Sequence, residues 1–118
     1  MVRSEPEQAL TNRVLRWLKT NGWLTMHISD SRMVVNVAGR FCLAADPECA
    51  GFPDIFAVHP ATGRMVAIEC KRGGQKPRAN QVTWLDTLAG AGVATYVLTQ
   101  ANEEAVKAEL AGRVPVAA

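Results

Sequence analysis

Cysteine is scarce in this 118-residue chain and odd in number: Cys42, Cys49 and Cys70, with no Cys-x-x-Cys spacing. A disulfide-stapled scaffold is therefore not expected, and a reducing compartment is the default. His27 and His59 stand at no zinc-finger spacing from those cysteines, so a structural zinc is not expected either. No apolar run approaches the ~18 residues of a membrane span. The N-terminal residues are polar and charged rather than the apolar core of a secretory signal. No membrane partner is expected, and an intracellular location is.

Charge of one sign is also in short supply. The net charge is only +2, which gives no bulk polyelectrolyte argument for nucleic acid. Its distribution says more. Residues 1–80 hold 11 Lys/Arg against 7 Asp/Glu, and residues 81–118 hold 2 against 4. A basic surface, if there is one, belongs to the first two-thirds of the chain. A solvated surface of mixed charge gives the same counts. Apolar residues make up 48%, which suits a folded domain, and the length suits one core. The expectation is a single domain over 1–112 with a tail at 113–118.

What is present is a sequence of well-punctuated elements. Ser4-Glu5-Pro6-Glu7 reads as a helix start with a capping box, Leu10, Val14, Trp17 and Leu18 as an apolar stripe, and Asn21-Gly22 as the stop. Helix one is expected over 5–20. Residues 23–50 are broken by Gly39, Asp46-Pro47 and Gly51 and read as a strand at 23–28, with 33–37 either its continuation or a further short strand, and irregular chain; only the first is counted in the element order. Residues 55–58 and 65–71 are strands around a turn at His59-Pro60-Ala61-Thr62-Gly63. Pro77 opens a helix over 78–89, with Val82, Leu85 and Ala89 on its buried side. Val93 to Leu98 is a strand, and Asn102 caps a last helix. The order is α-β-β-β-α-β-α. A strand–helix–strand crossover makes its two strands parallel neighbours, so the expected fold is α/β, a mixed β-sheet flanked by helices.

Within that frame one pairing carries chemistry. Asp54 follows Pro53 at the start of one strand; Glu69 and Lys71 stand two apart near the end of the next. Alternation places Glu69 and Lys71 on one face and Cys70 on the other. If the strands form a hairpin, Asp54 approaches Glu69. Two carboxylates repel unless a cation lies between them, and an ammonium beside them can position a metal-bound water. That grouping suits metal-assisted phosphodiester hydrolysis.

Gly51-Phe52-Pro53-Asp54, Ile68-Glu69-Cys70-Lys71 and Gln81 together resemble the PD-(D/E)XK nucleases, and most closely the virus-type replication–repair nuclease (VRR-NUC) domain. The resemblance spans about residues 5–98. It implies a restriction-endonuclease-like sheet and a metal-dependent endodeoxyribonuclease. The implied catalytic set is Glu7, Asp54, Glu69, Lys71 and Gln81. The implied metal is Mg²⁺ or Mn²⁺, held by Asp54, Glu69, the Cys70 carbonyl and Glu7. Small members of the family resemble phage proteins that cut branched DNA, four-way junctions included. This points to DNA repair, to the cytoplasm of a bacterial or phage-infected cell, and to a homodimer.

Several of these residues have a second reading. Asp54 can be a turn residue, and Lys71 a solvated strand end. Glu7 can belong to the capping box, but it also continues the apolar face of its helix. Gln81 begins a buried stripe with Leu85 and Leu88, where an amide is either a core-edge hydrogen bond or a site residue. Arg72, Lys76 and Arg78 flank Gly73-Gly74, and with Gln81 they are candidate phosphate contacts or a flexible surface loop. Arg13, Arg16 and Lys19 read as helix surface. Trp17, Trp23 and Trp84 exceed what a small core needs, so one of them is a candidate partner contact. Two rival functions remain: a non-catalytic nucleic-acid-binding module on a nuclease scaffold, and a sequence-specific restriction-type endonuclease.

Overall fold

The computed structural model describes residues 6–28, 32–37, 39–45 and 50–112, with the backbone alone for 32–37 and 40–45. Its elements are α1 (Glu7–Thr20), β1 (Leu24–His27), β2 (Arg32–Val37), β3 (Arg40–Ala45), β4 (Ile55–His59), β5 (Arg64–Cys70), α2 (Ala79–Gly90), β6 (Ala94–Leu98) and α3 (Glu103–Leu110). Ser4, Glu5 and the expected tail at 113–118 lie outside the described residues.

Four strands form one mixed sheet in the order β1-β4-β5-β6. β1 and β4 are antiparallel, as are β4 and β5, while β5 and β6 are parallel because α2 supplies the crossover between them. The elements around this sheet follow the expected order α-β-β-β-α-β-α, the restriction-endonuclease-like α/β arrangement. β2 and β3 pair antiparallel with each other as a separate two-stranded sheet, inserted between β1 and β4. β3 falls where the sequence reading left irregular chain or a short strand open. Its alanines and lone cysteine give weak strand signals that pairing with β2 overrides.

Alternation divides the sheet into two faces. Ile55, Ala57, Val66, Ile68, Cys70 and Leu98 pack with Leu10, Val14, Leu15 and Leu18 of α1 and with Val106 and Leu110 of α3 in one core. The opposite face carries Phe56 and Val58 from β4 and Met65, Ala67 and Glu69 from β5. α2 lies against β6, and its Gln81 reaches Glu69 on this second face.

Several local expectations need correction. α1 begins at Glu7, because Pro6 is extended (φ −58°, ψ 142°) at the N-cap position and no side chain caps the helix. Glu7 is thus the first helical residue and not the third, so it does not belong to a capping box. Val82 and Ala89 are exposed, because α2 touches the sheet through Gln81 and Leu85 and overhangs its edge strand. Asn102 occupies the N-cap position of α3 but turns its side chain back to the end of β6. It accepts from the Thr99 N–H (2.8 Å) and donates to the Val97 carbonyl (2.9 Å). Arg13 is not free helix surface: it forms a two-pronged ion pair with buried Glu103 (2.8 and 2.6 Å), which also takes Lys107 (2.6 Å) and ties α1 to α3. Trp23 is core, and Trp17 and Trp84 are half-buried, so none of the three is a fully exposed aromatic.

Candidate active site

The β4–β5 register fixes the centre of the site. Ile55 faces Ile68, so Asp54, one residue before β4, stands opposite Glu69. The Asp54 carboxylate is locked there by the backbone N–H of Cys70, which donates to Oδ2 at 2.9 Å. Ile28 at the end of β1 donates its N–H to the Asp54 carbonyl at 2.8 Å. The strand ends of β1, β4 and β5 therefore hold this residue on both sides.

Glu69 is buried at 2% exposure. One oxygen, Oε1, accepts from the Gln81 amide at 3.0 Å and has the Lys71 ammonium at 3.7 Å. The other, Oε2, is buried with no hydrogen-bond partner. Burial first, and then the Asp54 charge, push the Glu69 carboxyl up to about 8, against the opposing pull of Lys71. Asp54 is raised as well, chiefly by burial and less by the charge of Glu7, with the Cys70 N–H pulling the other way. In the absence of a cation, burial and the neighbouring Asp54 charge disfavour the ionised form of Glu69. An unpartnered buried carboxylate oxygen beside a second carboxylate is the donor set that a hard divalent cation takes.

Lys71 is buried at 8% exposure rather than solvated at a strand end. Its backbone N–H donates to the Leu98 carbonyl at 2.9 Å, which extends the β5–β6 pairing by one residue and fixes where its side chain leaves. Gln81 is the third residue of α2. Its oxygen accepts from the Arg78 N–H at 2.7 Å, so its amide is committed to pointing its N–H₂ at Glu69. Arg78 has no side-chain acceptor, so the other half of a capping box cannot form.

Glu7 is half-buried at the first position of α1. Its charge raises both Asp54 and Glu69, yet no hydrogen bond joins it to either. Among the described residues no three His, Cys, Asp or Glu side chains close on one point. The centre is a pair of carboxylates with a third at longer range. The Cys70 side chain points into the core, where burial pushes its thiol up to about 12 against a hydrogen bond with Thr11.

Arg72, Lys76 and the Arg78 side chain are exposed in the loop that follows Lys71 directly. That loop turns through a Gln75 N–H to Arg72 carbonyl bond (3.0 Å) and Gly74 at φ +83°. It joins Lys71 to the first turn of α2, where the Arg78 N–H meets Gln81.

Two contributors were not foreseen. Thr11 stands four residues after Glu7 on the same stripe as Val14 and Leu18, a spacing that marks it as buried and polar. The Ala50–Pro53 segment is pinned to α2 by Trp84, whose indole N–H donates to the Ala50 carbonyl (3.2 Å) and whose ring meets Phe52 edge-on. Gly51 approaches Asn80 so closely that an added Cβ would lie 2.7 Å from its backbone. The glycine before Pro53-Asp54 thus lets the Asp54 loop seat on the helix that carries Gln81.

A family model described as the VRR-NUC domain matches residues 4–102. Comparison with curated proteins and with solved structures gives no match.

Proposed function

The chain belongs to the VRR-NUC family, a nuclease family whose partner is nucleic acid, and on that premise we propose that it is a metal-dependent endodeoxyribonuclease selective for branched DNA. The observation that carries this reading is the buried Asp54–Glu69 pair, with Glu69 Oε2 unpartnered and Lys71 and Gln81 on the opposite oxygen. Mg²⁺ or Mn²⁺ would be held by Asp54, Glu69 and the Cys70 carbonyl, with Glu7 acting through a bound water or a second ion. When bound, such an ion polarises the scissile phosphate and makes a coordinated water acidic.

The residues of the chain supply the rest. Gln81 holds Glu69 in one rotamer, leaving Oε2 free toward Asp54. Lys71 places a positive charge where the attacking water and the phosphorane-like charge develop. Arg72, Lys76 and Arg78 engage the backbone phosphates flanking the cut, a contact that positions without reading sequence. Cutting a four-way junction on two opposed strands needs two sites related by a two-fold axis, and a homodimer provides them. A cytoplasmic role in DNA repair, in a bacterial or phage-infected cell, fits that substrate.

Purified protein with Mg²⁺ or Mn²⁺, assayed on linear, nicked, flapped and four-way DNA, tests the reading. Cleavage that stops with chelator, is fastest on the four-way substrate, and is abolished by Asp54→Asn and by Glu69→Gln is the expected outcome. Wild-type cutting by either variant removes the metal assignment. Equal rates on linear and four-way DNA remove the branch selectivity.

A further inference from the structure

α2 is lightly anchored for an element that carries a site residue. Of its 12 residues only Gln81 and Leu85 are buried. One leucine offsets little of the conformational entropy lost when a helix is fixed in place. The other anchor, Gln81, is held by Glu69 at 3.0 Å. One of the two anchors that seat the helix on the sheet is thus the site itself. A second stripe of α2 supplies what Leu85 alone does not. Asn80 and Trp84, four residues apart, turn toward the Ala50–Pro53 segment.

That segment meets them at three successive residues. The Ala50 carbonyl accepts from the Trp84 indole N–H at 3.2 Å. Gly51 lies so close to the Asn80 backbone that no side chain fits between them. The Phe52 ring meets the Trp84 ring edge-on, with centroids 4.9 Å apart and planes at 71°. Phe52 in turn stands 6.4 Å from Phe56 on β4. Asp54 falls midway between these two phenylalanines, and its neighbours Pro53 and Ile55 are fully buried. The segment is the rigid partner in this contact. Its Asp54 carboxylate accepts from the Cys70 N–H and its Asp54 carbonyl from the Ile28 N–H, so strand ends hold it from both sides. α2 is the adjustable partner. One turn beyond Gln81, Trp84 ties the helix that grips Glu69 to the segment that carries Asp54.

We propose that Trp84 is a positioning residue of the carboxylate pair, acting through Gln81 to hold Glu69 where it can share a divalent cation with Asp54. The proposal rests on the metal-dependent reading of the site. Trp84 is not itself a catalytic residue: its one N–H is committed to Ala50, so it bonds neither carboxylate. What it governs is the placement of two ligands that sit on different elements. A cation binds most tightly when both are already in place, because any rearrangement is subtracted from its affinity. The link is reciprocal. A cation that holds Glu69 beside Asp54 also favours the docked helix, and so tightens the contact between Trp84 and Ala50.

Isothermal calorimetry of Mg²⁺ with the metal-free full chain is the test. Trp84→Phe keeps a ring for Phe52 and removes only the indole donor. Mg²⁺ affinity should fall by about 10- to 100-fold, as for other groups that orient a metal ligand. Val106→Ala weakens the core on the opposite face of the sheet and should leave Mg²⁺ affinity unchanged, which separates positioning from lost stability. In a Gln81→Ala background, Trp84→Phe should have no further effect. Unchanged affinity in Trp84→Phe, an equal fall in Val106→Ala, or a full additional loss in the double variant would each overturn the proposal. The link also has a spectroscopic signature. The indole N–H resonance that disappears in Trp84→Phe identifies Trp84 in the wild-type spectrum, and its exchange with solvent should slow when Mg²⁺ is added. An exchange rate that Mg²⁺ leaves unaltered, in a chain that binds Mg²⁺, overturns the link alone. A wild type that binds neither Mg²⁺ nor Mn²⁺ is a different failure: it overturns the metal reading and the proposal with it.

Discussion

Gln81 donates to Glu69 Oε1 across 3.0 Å, while Oε2 of the same carboxylate is buried with no hydrogen-bond partner. The amide is itself oriented by the Arg78 N–H, so the first turn of α2 decides which Glu69 oxygen is occupied and which is left for a cation.

Gln81→Ala removes that donor and leaves both Glu69 oxygens buried with only the Lys71 ammonium nearby. Stability of the metal-free protein should fall by about 1–3 kcal/mol, the cost of stranding a buried acceptor. Cleavage should fall further than that loss explains, because Glu69 is no longer held in one rotamer. Denaturant melts in chelator, paired with single-turnover cleavage in excess Mg²⁺, separate the two effects. Unchanged cleavage would make Gln81 a packing residue.

Lys71→Met keeps the volume of the side chain and removes its charge. The expected result is a cleavage loss of about 100- to 1000-fold, by analogy with a lost transition-state donor, with Mg²⁺ binding retained. Isothermal calorimetry checks the second half. The same charge holds down the pKa of Glu69, so its loss moves the pH at which the metal-free pair ionises upward. For the wild type, the Glu69 carboxyl near 8 means that protons compete with the cation. Apparent Mg²⁺ affinity should therefore rise as pH increases toward 8 and level off above it.

Gly51→Ala and Gly63→Ala form a matched pair. Both glycines have positive φ (83° and 72°), so each alanine incurs the left-handed backbone penalty of about 1–2 kcal/mol. Nothing lies within 4 Å of a Cβ at Gly63, whereas one at Gly51 meets the Asn80 backbone at 2.7 Å. The expected outcome is a larger melting-temperature drop for Gly51→Ala, with loss of cleavage, and near-normal cleavage for Gly63→Ala. Equal effects would show that backbone conformation, not close approach to α2, accounts for Gly51.

The Arg13–Glu103–Lys107 cluster gives the protein an acid-sensitive link. Bonding to Arg13 holds the Glu103 carboxyl down to about 2, below its ordinary 4.5. A depressed carboxyl stabilises the fold above its unfolded value, and that contribution is lost as pH falls from about 4.5 through 2. Arg13→Ala should lower stability at pH 7 and flatten this part of the acid limb. Chemical denaturation at neutral and at successively more acidic pH compares the slopes. Parallel curves would show that the ion pair does not contribute.

Replacing Arg72, Lys76 and Arg78 together with Ser should weaken DNA binding and flatten its salt dependence. Each duplex phosphate that is no longer neutralised changes the log–log slope by about 0.9. Fluorescence anisotropy in Ca²⁺ at several salt concentrations measures it, and an unchanged slope would move the phosphate-binding surface elsewhere.

The sequence alone determined the elements around the sheet, their order, and the facing of Asp54 and Glu69. Those depend on short-range rules: helical and strand periodicity, a five-residue turn, and alternation of side chains, which sends Cys70 to the core and Glu69 with Lys71 to the other face. Tertiary structure decided what local rules cannot carry. Ser4-x-x-Glu7 has the spacing of a capping box, but Pro6 starts the helix, and Glu7 is freed from that role. Arg13 reads as surface until α3, ninety residues later, places Glu103 beside it. Val82 and Ala89 fit a buried helical stripe, yet α2 sits over an edge strand and reaches the sheet through Gln81 and Leu85. The exposure of Leu24, Met26 and Met65 was not legible at all, because a strand's pattern shows that it has an apolar side and not whether another element covers it. That depends on where the helices end up, and here α2 stops short of β1.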